Sequence, residues 1–272
     1  MTMKIGCCVN FLPKEADDPG VCYAKTIKDA GYDYIELPIG QINLLSEDKF
    51  VQLQKELDEA GIPVYACNNF FVPELKLVGE NVEQAKIRAF YTSALNRAQL
   101  LGCKYVVFGS PWSKSRPDGF PYEQAFAQLV QLCRELGDAA GERGITIALE
   151  PNNRMETNML NTFSDVVAMA KAANHPNIRC LQDYYHLKIE HDTVDSLLEY
   201  GNEFLVHSHF AKLEDRGFPK DWTEDEYYPI YFKALKTIGY KGGVSMEGLP
   251  VSRDSFAKEA KTACAFLRKA AR

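Results

Sequence analysis

The sequence predicts a single-domain (β/α)8 TIM barrel over residues 1–272, and three observations predict it. One unit recurs along the chain: an amphipathic helical stretch stops at a turn residue and runs into a short β-rich segment. The length of 272 residues suits eight such units, since barrels of this kind take about 250 residues. No G-x-G-x-x-G follows the first strand and no linker divides the chain, which disfavours a doubly wound open sheet.

The elements follow in order. The opening run "KIGCCV" is the first strand. A helix over 19–30 closes at Gly31 before "YDYIEL", and one over 46–60 closes at Gly61 before "IPVYAC". A helix over 81–101 and Gly102 precede "CKYVVF", and a helix over 121–143 and Gly144 precede "ITIALE". In the next unit, 162–173, Asn174 and Pro176 stop the helix before "NIRCLQD". Helices over 192–200 and 221–238, closed by Gly201 and Gly239, lead into "FLVHSH" and "GGVSME", and a last helix covers 253–270. The expected role of each of these glycines is the left-handed residue that ends a helix.

With 46% hydrophobic and 25% charged residues the chain can bury one large core and does not have the composition of a disordered segment. A net charge of −6, with no run of Lys or Arg, offers no footprint for nucleic acid and no basic patch for a membrane surface. The expected partner is a small molecule. No apolar stretch approaches the roughly 18 residues of a membrane span, and the start "MTMKIGCCVN" lacks a signal peptide's apolar core, so the expected location is the cytoplasm. The 8 cysteines form no C-x-x-C and most lie in apolar patterns, so they read as buried thiols of a reducing compartment.

In such a barrel the residues just past each strand line the catalytic face. Here they are Asn10, Pro38 after Glu36, Asn68, Gly109, Glu150, Asp183, His209 and Glu247. The last four strands each end in a metal-ligand residue type. A lone strand-end acid is commonly a helix cap or a solvated loop residue, but four in successive units are not coincidence. Laid flat, four neighbouring ends would span roughly 14 Å at the usual strand spacing; closing the sheet gathers them around one mouth. Three carboxylates and an imidazole make a hard, mostly oxygen shell that suits Mn²⁺, Mg²⁺ or Co²⁺ better than a thiolate zinc site. Other residues carry less. His207 reads as a core histidine deeper on the strand of His209, His175 as a surface turn residue and His191 as a solvated one. Trp112 fits loop packing and pocket lining equally, and Glu36 fits a paired interior acid and a substrate contact equally.

The segment "LEPNNRMETNMLNT" resembles the E-x-x-N-R-x-E segment of the ketose 3-epimerases (D-tagatose, D-allulose and L-ribulose 3-epimerases), within the xylose isomerase-like barrel superfamily. The resemblance covers essentially the whole chain. It implies that Glu150 is a metal-binding catalytic glutamate and that Glu156 holds the substrate's end hydroxyls. "QDYYH" resembles the family's D-x-x-H, which implies Asp183 as a ligand and His186 as a substrate hydrogen-bonding group; "HSHF" supplies His209, and "SMEG" supplies Glu247 as ligand and second catalytic acid. The family's substrate-contacting arginine is matched by Arg216 in "HFAKLEDRG", with Lys212 as the alternative. Asn10, Glu36, Asn68 and Trp112 are the pocket residues expected from the first half of the chain.

The activity so implied is interconversion of the C3 epimers of a free ketohexose or ketopentose through a cis-enediolate, stabilised by one divalent metal ion, Mn²⁺ ahead of Co²⁺ or Mg²⁺. Glu150 and Glu247 would exchange the roles of base and acid with the direction of reaction. A homo-oligomer, dimer or tetramer, is compatible with this reading. The alternatives are an aldose-ketose isomerase such as a hydroxypyruvate isomerase relative, which would use the same four ligands at C1 and C2, and a non-catalytic sugar-binding barrel. Inosose chemistry and an abasic-DNA endonuclease fit less well, the latter for want of histidines and a basic groove. Phosphorylated substrates stay open, although "EGLPVSRDS" shows no Gly-rich phosphate cradle.

Overall fold

The computed structural model describes residues 3–12, 14–15 and 18–272; Met1, Thr2, Pro13, Ala16 and Asp17 lie outside the described residues. Eight strands close into a parallel barrel in sequence order: β1 (Lys4–Cys8), β2 (Tyr34–Pro38), β3 (Val64–Asn68), β4 (Tyr105–Phe108), β5 (Thr146–Leu149), β6 (Ile178–Asp183), β7 (Leu205–Phe210) and β8 (Gly243–Met246). β1 pairs with both β2 and β8, which closes the ring. The helices among the described residues are α1 (Ala24–Ala30), α2 (Ile39–Asn43), α3 (Glu47–Ala60), α4 (Gln84–Leu100), α5 (Pro111–Lys114), α6 (Tyr122–Gly141), α7 (Phe163–Ala173), α8 (Tyr184–Ile189), α9 (Asp195–Phe204), α10 (Tyr228–Thr237) and α11 (Phe256–Ala270). None is long and apolar enough to cross a membrane.

Local chemistry sets the boundaries. Ser46 caps α3 by accepting from the Lys49 N–H, Glu47 and Asp48 occupy its first turn, and Phe50, Leu53 and Leu57 form its buried stripe. Thr162 and Asp165 make a reciprocal capping box at the start of α7. Gly31, Gly61, Gly102, Gly144, Gly239 and Asn174 all take the left-handed conformation at or just beyond helix ends. Gly201 departs from the expected pattern. It lies inside α9 with no positive φ, where a Cβ would press on Ile238 Cδ1, so it serves close packing and the helix runs on to Phe204. Of the cysteines, Cys22 is exposed and the other seven are buried, and all are free thiols.

Alternation on the strands fills the barrel. The Tyr34 ring occupies space left by Gly6 and Gly243, since a Cβ on either would overlap it. Tyr65 packs beside it with ring centres 4.9 Å apart, and Tyr105 stacks on His207 at 6.0 Å. This aromatic layer plugs the barrel below the strand ends. Register shifts at Ile35/Glu36 and Cys180/Leu181 realign neighbouring strands, pairing Glu36 with Ala66 and Asp183 with His209.

The plug gives a direct test. Gly6→Ala is expected to lower unfolding free energy by about 1–3 kcal/mol, because the Tyr34 ring has nowhere to move. Urea denaturation measures it, and an unchanged midpoint would contradict the packing described.

Candidate functional site

The closed barrel turns four consecutive strand ends into one cluster. Glu150 follows β5, Asp183 ends β6, His209 lies near the end of β7 and Glu247 follows β8. One ligand atom from each lies within 4.8 Å of all the others, and all four side chains are buried. His209 Nδ1 is 3.0 Å from Glu150 Oε1 and 3.3 Å from Glu247 Oε2.

Glu36 lies beneath this cluster and fixes the imidazole. Its Oε1 is 2.9 Å from His209 Nε2, while Oε2 is 2.8 Å from His207 Nε2 and accepts from Ser245 Oγ at 2.6 Å. Because the Ser245 proton is given to Glu36, the Tyr34 hydroxyl donates to Ser245 Oγ, at 2.8 Å. Burial would raise the Glu36 carboxyl, but the two facing imidazoles hold it well below the usual carboxylate range. An ionised Glu36 keeps a proton on His209 Nε2 and turns Nδ1 toward Glu150 and Glu247. Burial opposes a charged ring, but the facing Glu36, Glu247 and Glu150 hold the imidazole well above its ordinary pKa, and Nδ1 is the nitrogen that would give up its proton to ligate a cation. Of the two readings of Glu36 open in the sequence, paired interior acid and substrate contact, its surroundings match the first: it is wholly buried and is not among the residues that line the cleft. Asn68 is also one layer down, with its amide nitrogen 3.2 Å from Asn10 Oδ1 and 3.4 Å from Glu247 Oε1; it is Asn10 that lines the cleft, donating to Glu247 Oε1 at 2.9 Å.

The donor set fits a divalent cation. Three carboxylates converge with few cations of their own, and the Asp183 carboxyl is pushed up to about 7, first by burial, with Arg216 opposing and Glu247 and Glu150 reinforcing the rise. Arg216 is the charged group that reaches in. Its Nη2 is 2.5 Å from Glu247 Oε2 and 3.2 Å from Asp183 Oδ2, and its Nη1 is 3.6 Å from Glu156 Oε1. The guanidinium lies between the rings of Phe11 and Tyr185, 4.5 Å from each centre. Asp215 and Arg216 both hold positive φ, 54° and 47°, a strained turn that aims the side chain inward. Lys212 lines the cleft but pairs with Glu214 at 3.5 Å, so Arg216 is the group that the loop delivers to the cluster.

His186 stands beside Asp183 on α8. The Asn153 backbone N–H donates to its Nδ1 at 3.2 Å and the Asn153 amide nitrogen stands 2.9 Å from the same atom, which puts the ring proton on Nε2, 3.5 Å from Asp183 Oδ2. Burial and the nearby Arg216 keep it neutral, with its pKa well below the ordinary value. Glu156 accepts from the Asn153 amide at 3.0 Å and lines the cleft, as does the half-exposed Trp112. Lys114 was not foreseen. It is fully buried on α5, and its ammonium donates to the Glu150 carbonyl at 3.0 Å and to Asn152 Oδ1 at 2.7 Å. Burial pushes its pKa down to about 8. The sequence signal for it was only its place, two residues after Trp112 in the loop past β4.

A family model described as xylose isomerase-like TIM barrel matches residues 24–270. The chain belongs to this family. An L-ribulose 3-epimerase of Methylomonas sp. (strain DH-1) is 28% identical over 222 residues, covering 80% of this chain and 74% of the relative. A ketose 3-epimerase of Arthrobacter globiformis is 28% identical over 260 residues, covering 92% and 85%. The structure of D-psicose 3-epimerase with D-tagatose from Clostridium cellulolyticum H10 superposes with a TM-score of 0.86 at 22% identity, covering 99% of this chain and 100% of that one. That likeness establishes the shared barrel.

Within this family barrel, Gly109 at the end of β4 makes room for Glu150: a Cβ there would overlap Glu150 Oε2 and approach Asn152 Nδ2 at 3.5 Å. Gly109→Ala is therefore expected to displace the Glu150 carboxylate and to cost about 1–3 kcal/mol of stability. A crystal structure and a denaturation curve of the variant check this; an unmoved Glu150 at wild-type stability would contradict it.

Proposed function

We propose that this chain is a ketose 3-epimerase that exchanges the configuration at C3 of a free ketohexose or ketopentose in the cytoplasm. The observation that carries the reading is the pair of glutamates, Glu150 and Glu247, entering from β5 and β8 onto one cluster with His209 Nδ1 between their carboxylates. The names of the relatives, L-ribulose 3-epimerase and ketose 3-epimerase, support it. Glu150, Asp183, His209 and Glu247 would hold one divalent ion, Mn²⁺ ahead of Co²⁺ or Mg²⁺, which when bound would stabilise negative charge on the sugar's carbonyl and neighbouring hydroxyl oxygens.

The chain's own groups supply the rest. One glutamate takes the C3 proton from one face and the other returns a proton to the opposite face, with the roles reversing in the back reaction. The Nε2–H of His186 and the Arg216 guanidinium are donors for the O2 oxygen as charge grows on it. Glu156 accepts from the hydroxyls at the substrate's end and so fixes which carbon stands between the glutamates. Glu36 keeps His209 in the required tautomer. A dimer or tetramer is compatible with this chemistry.

The same cluster would serve an aldose-ketose isomerase, so the reacting carbon decides. A panel of ketohexoses and ketopentoses incubated in D₂O with Mn²⁺ is expected to gain deuterium at C3 and yield the C3 epimer, read by NMR. Label at C1 with aldose formation and no C3 exchange would replace the epimerase by the isomerase. Glu150→Gln and Glu247→Gln are each expected to lower kcat by at least about 10²–10⁴-fold, whereas Glu156→Gln should mainly raise KM. An active Glu247→Gln beside a dead Glu156→Gln would overturn the assignment of roles.

A further inference from the structure

Above the carboxylates the cleft continues well beyond the room one ketose needs. Its volume is about 1730 Å³, against about 300–1,000 Å³ for clefts that enclose a drug-sized ligand, and a free ketohexose is smaller than such a ligand. The titratable and amide groups that would grip a sugar gather at the floor, around Glu150, Glu247, Asn10, Glu156, His186 and Arg216. The rest of the lining is mixed, with Gln41, Glu74, Lys258 and Glu259 among apolar groups. Leu44, Trp112, Leu249 and Val251 all line this cleft and are 67%, 56%, 45% and 90% exposed. Exposed apolar side chains scattered singly need no explanation, but four rimming one cleft mark a binding surface.

The turn that carries Trp112 is firmly held. Trp112 sits on α5 next to Ser113 and Lys114, both wholly buried. Ser113 Oγ donates to the Val72 carbonyl at 2.8 Å, and Lys114 ties the turn to β5 through the Glu150 carbonyl. Such a turn fixes the backbone from which the indole lines the cleft. A free ketose carries oxygen on every carbon and is used up by the polar floor. A second ring offers the C–H face that packs on an aromatic and aliphatic wall.

We infer that the preferred substrate is a ketose joined, through a hydroxyl remote from its carbonyl, to a second sugar ring, with the ketose on the carboxylate floor and the second ring against Trp112, Leu44, Leu249 and Val251. This rests on the epimerase reading and narrows it. The linkage cannot use the anomeric oxygen, because the C2 ketone must be free to acidify the C3–H bond. In the reaction the C3–H bond breaks, its proton passes to one glutamate, and a proton from the other forms the new C3–H bond; the glycosidic bond is untouched and nothing is oxidised or reduced.

The test compares fructose with 6-O-α-glucosyl-fructose on the full-length, Mn²⁺-loaded protein, with C3 epimers quantified by NMR. The disaccharide is expected to have a kcat/KM at least about tenfold above that of fructose, the scale of discrimination that an apolar pocket supplies. Substituting the exposed pair together, Leu44→Ser with Val251→Ser, is expected to lower the ratio of the two kcat/KM values several-fold, and Trp112→Ala to lower it further. Fructose turned over as well as the disaccharide, or a ratio unmoved by these substitutions, overturns the inference and leaves the epimerase standing. Absence of C3 epimerisation with every free or linked ketose removes the epimerase reading, and this inference with it.

Discussion

The structure turns on the convergence of like charge at the mouth of the barrel. Glu150, Asp183 and Glu247 bring three carboxylates within 4.8 Å of one another and of a His209 ring nitrogen. Burying such charges without compensation is costly. Arg216 meets part of the demand through Glu247 and Asp183, and the rise of the Asp183 carboxyl to about 7 marks what is left over. A divalent cation would complete the balance, and the same ion is what sugar chemistry at this site would use.

Everything below the mouth works to hold that arrangement. The barrel interior is polar just where it touches the cluster: Tyr34, Ser245 and His207 converge on Glu36, and Glu36 holds His209. Glu36, His207 and Ser245 are wholly buried over an aromatic layer, so these hydrogen bonds are sheltered from solvent. From the side, Lys114 clamps the backbone and the amide that follow Glu150, and Asn153 sets the tautomer of His186. The residues with the chemistry are therefore few, and the residues that aim them come from seven strands or the loops just past them, all but β6.

The architecture and the four cluster residues were legible in the sequence because both obey simple periods. Helix, turn residue and strand repeat along the chain, and the residue past each strand must stand at the mouth. The contributions that were not legible depend on closure in three dimensions. Glu36 could be read as a pocket residue or as a paired interior acid, since strand alternation says that it points inward but not how deep it lies. Lys114 and the short helices α2, α5 and α8 occupy βα loops too brief for any periodicity to build up. Gly201 looked like a helix stop because glycine usually is one there, whereas the space beside Ile238 gave it another use.

The central claim is that the converging carboxylates form a site for one divalent cation. Calorimetric titration of chelator-stripped protein with Mn²⁺ tests it most directly, run beside Asp183→Asn and Glu36→Gln. The account expects about one ion per chain, binding abolished or nearly so in Asp183→Asn, and affinity lowered by about 10–100-fold in Glu36→Gln, which leaves the four ligand side chains in place but removes the charge that orients His209. No saturable binding to the wild-type chain, or binding that Asp183→Asn leaves unchanged, would contradict it.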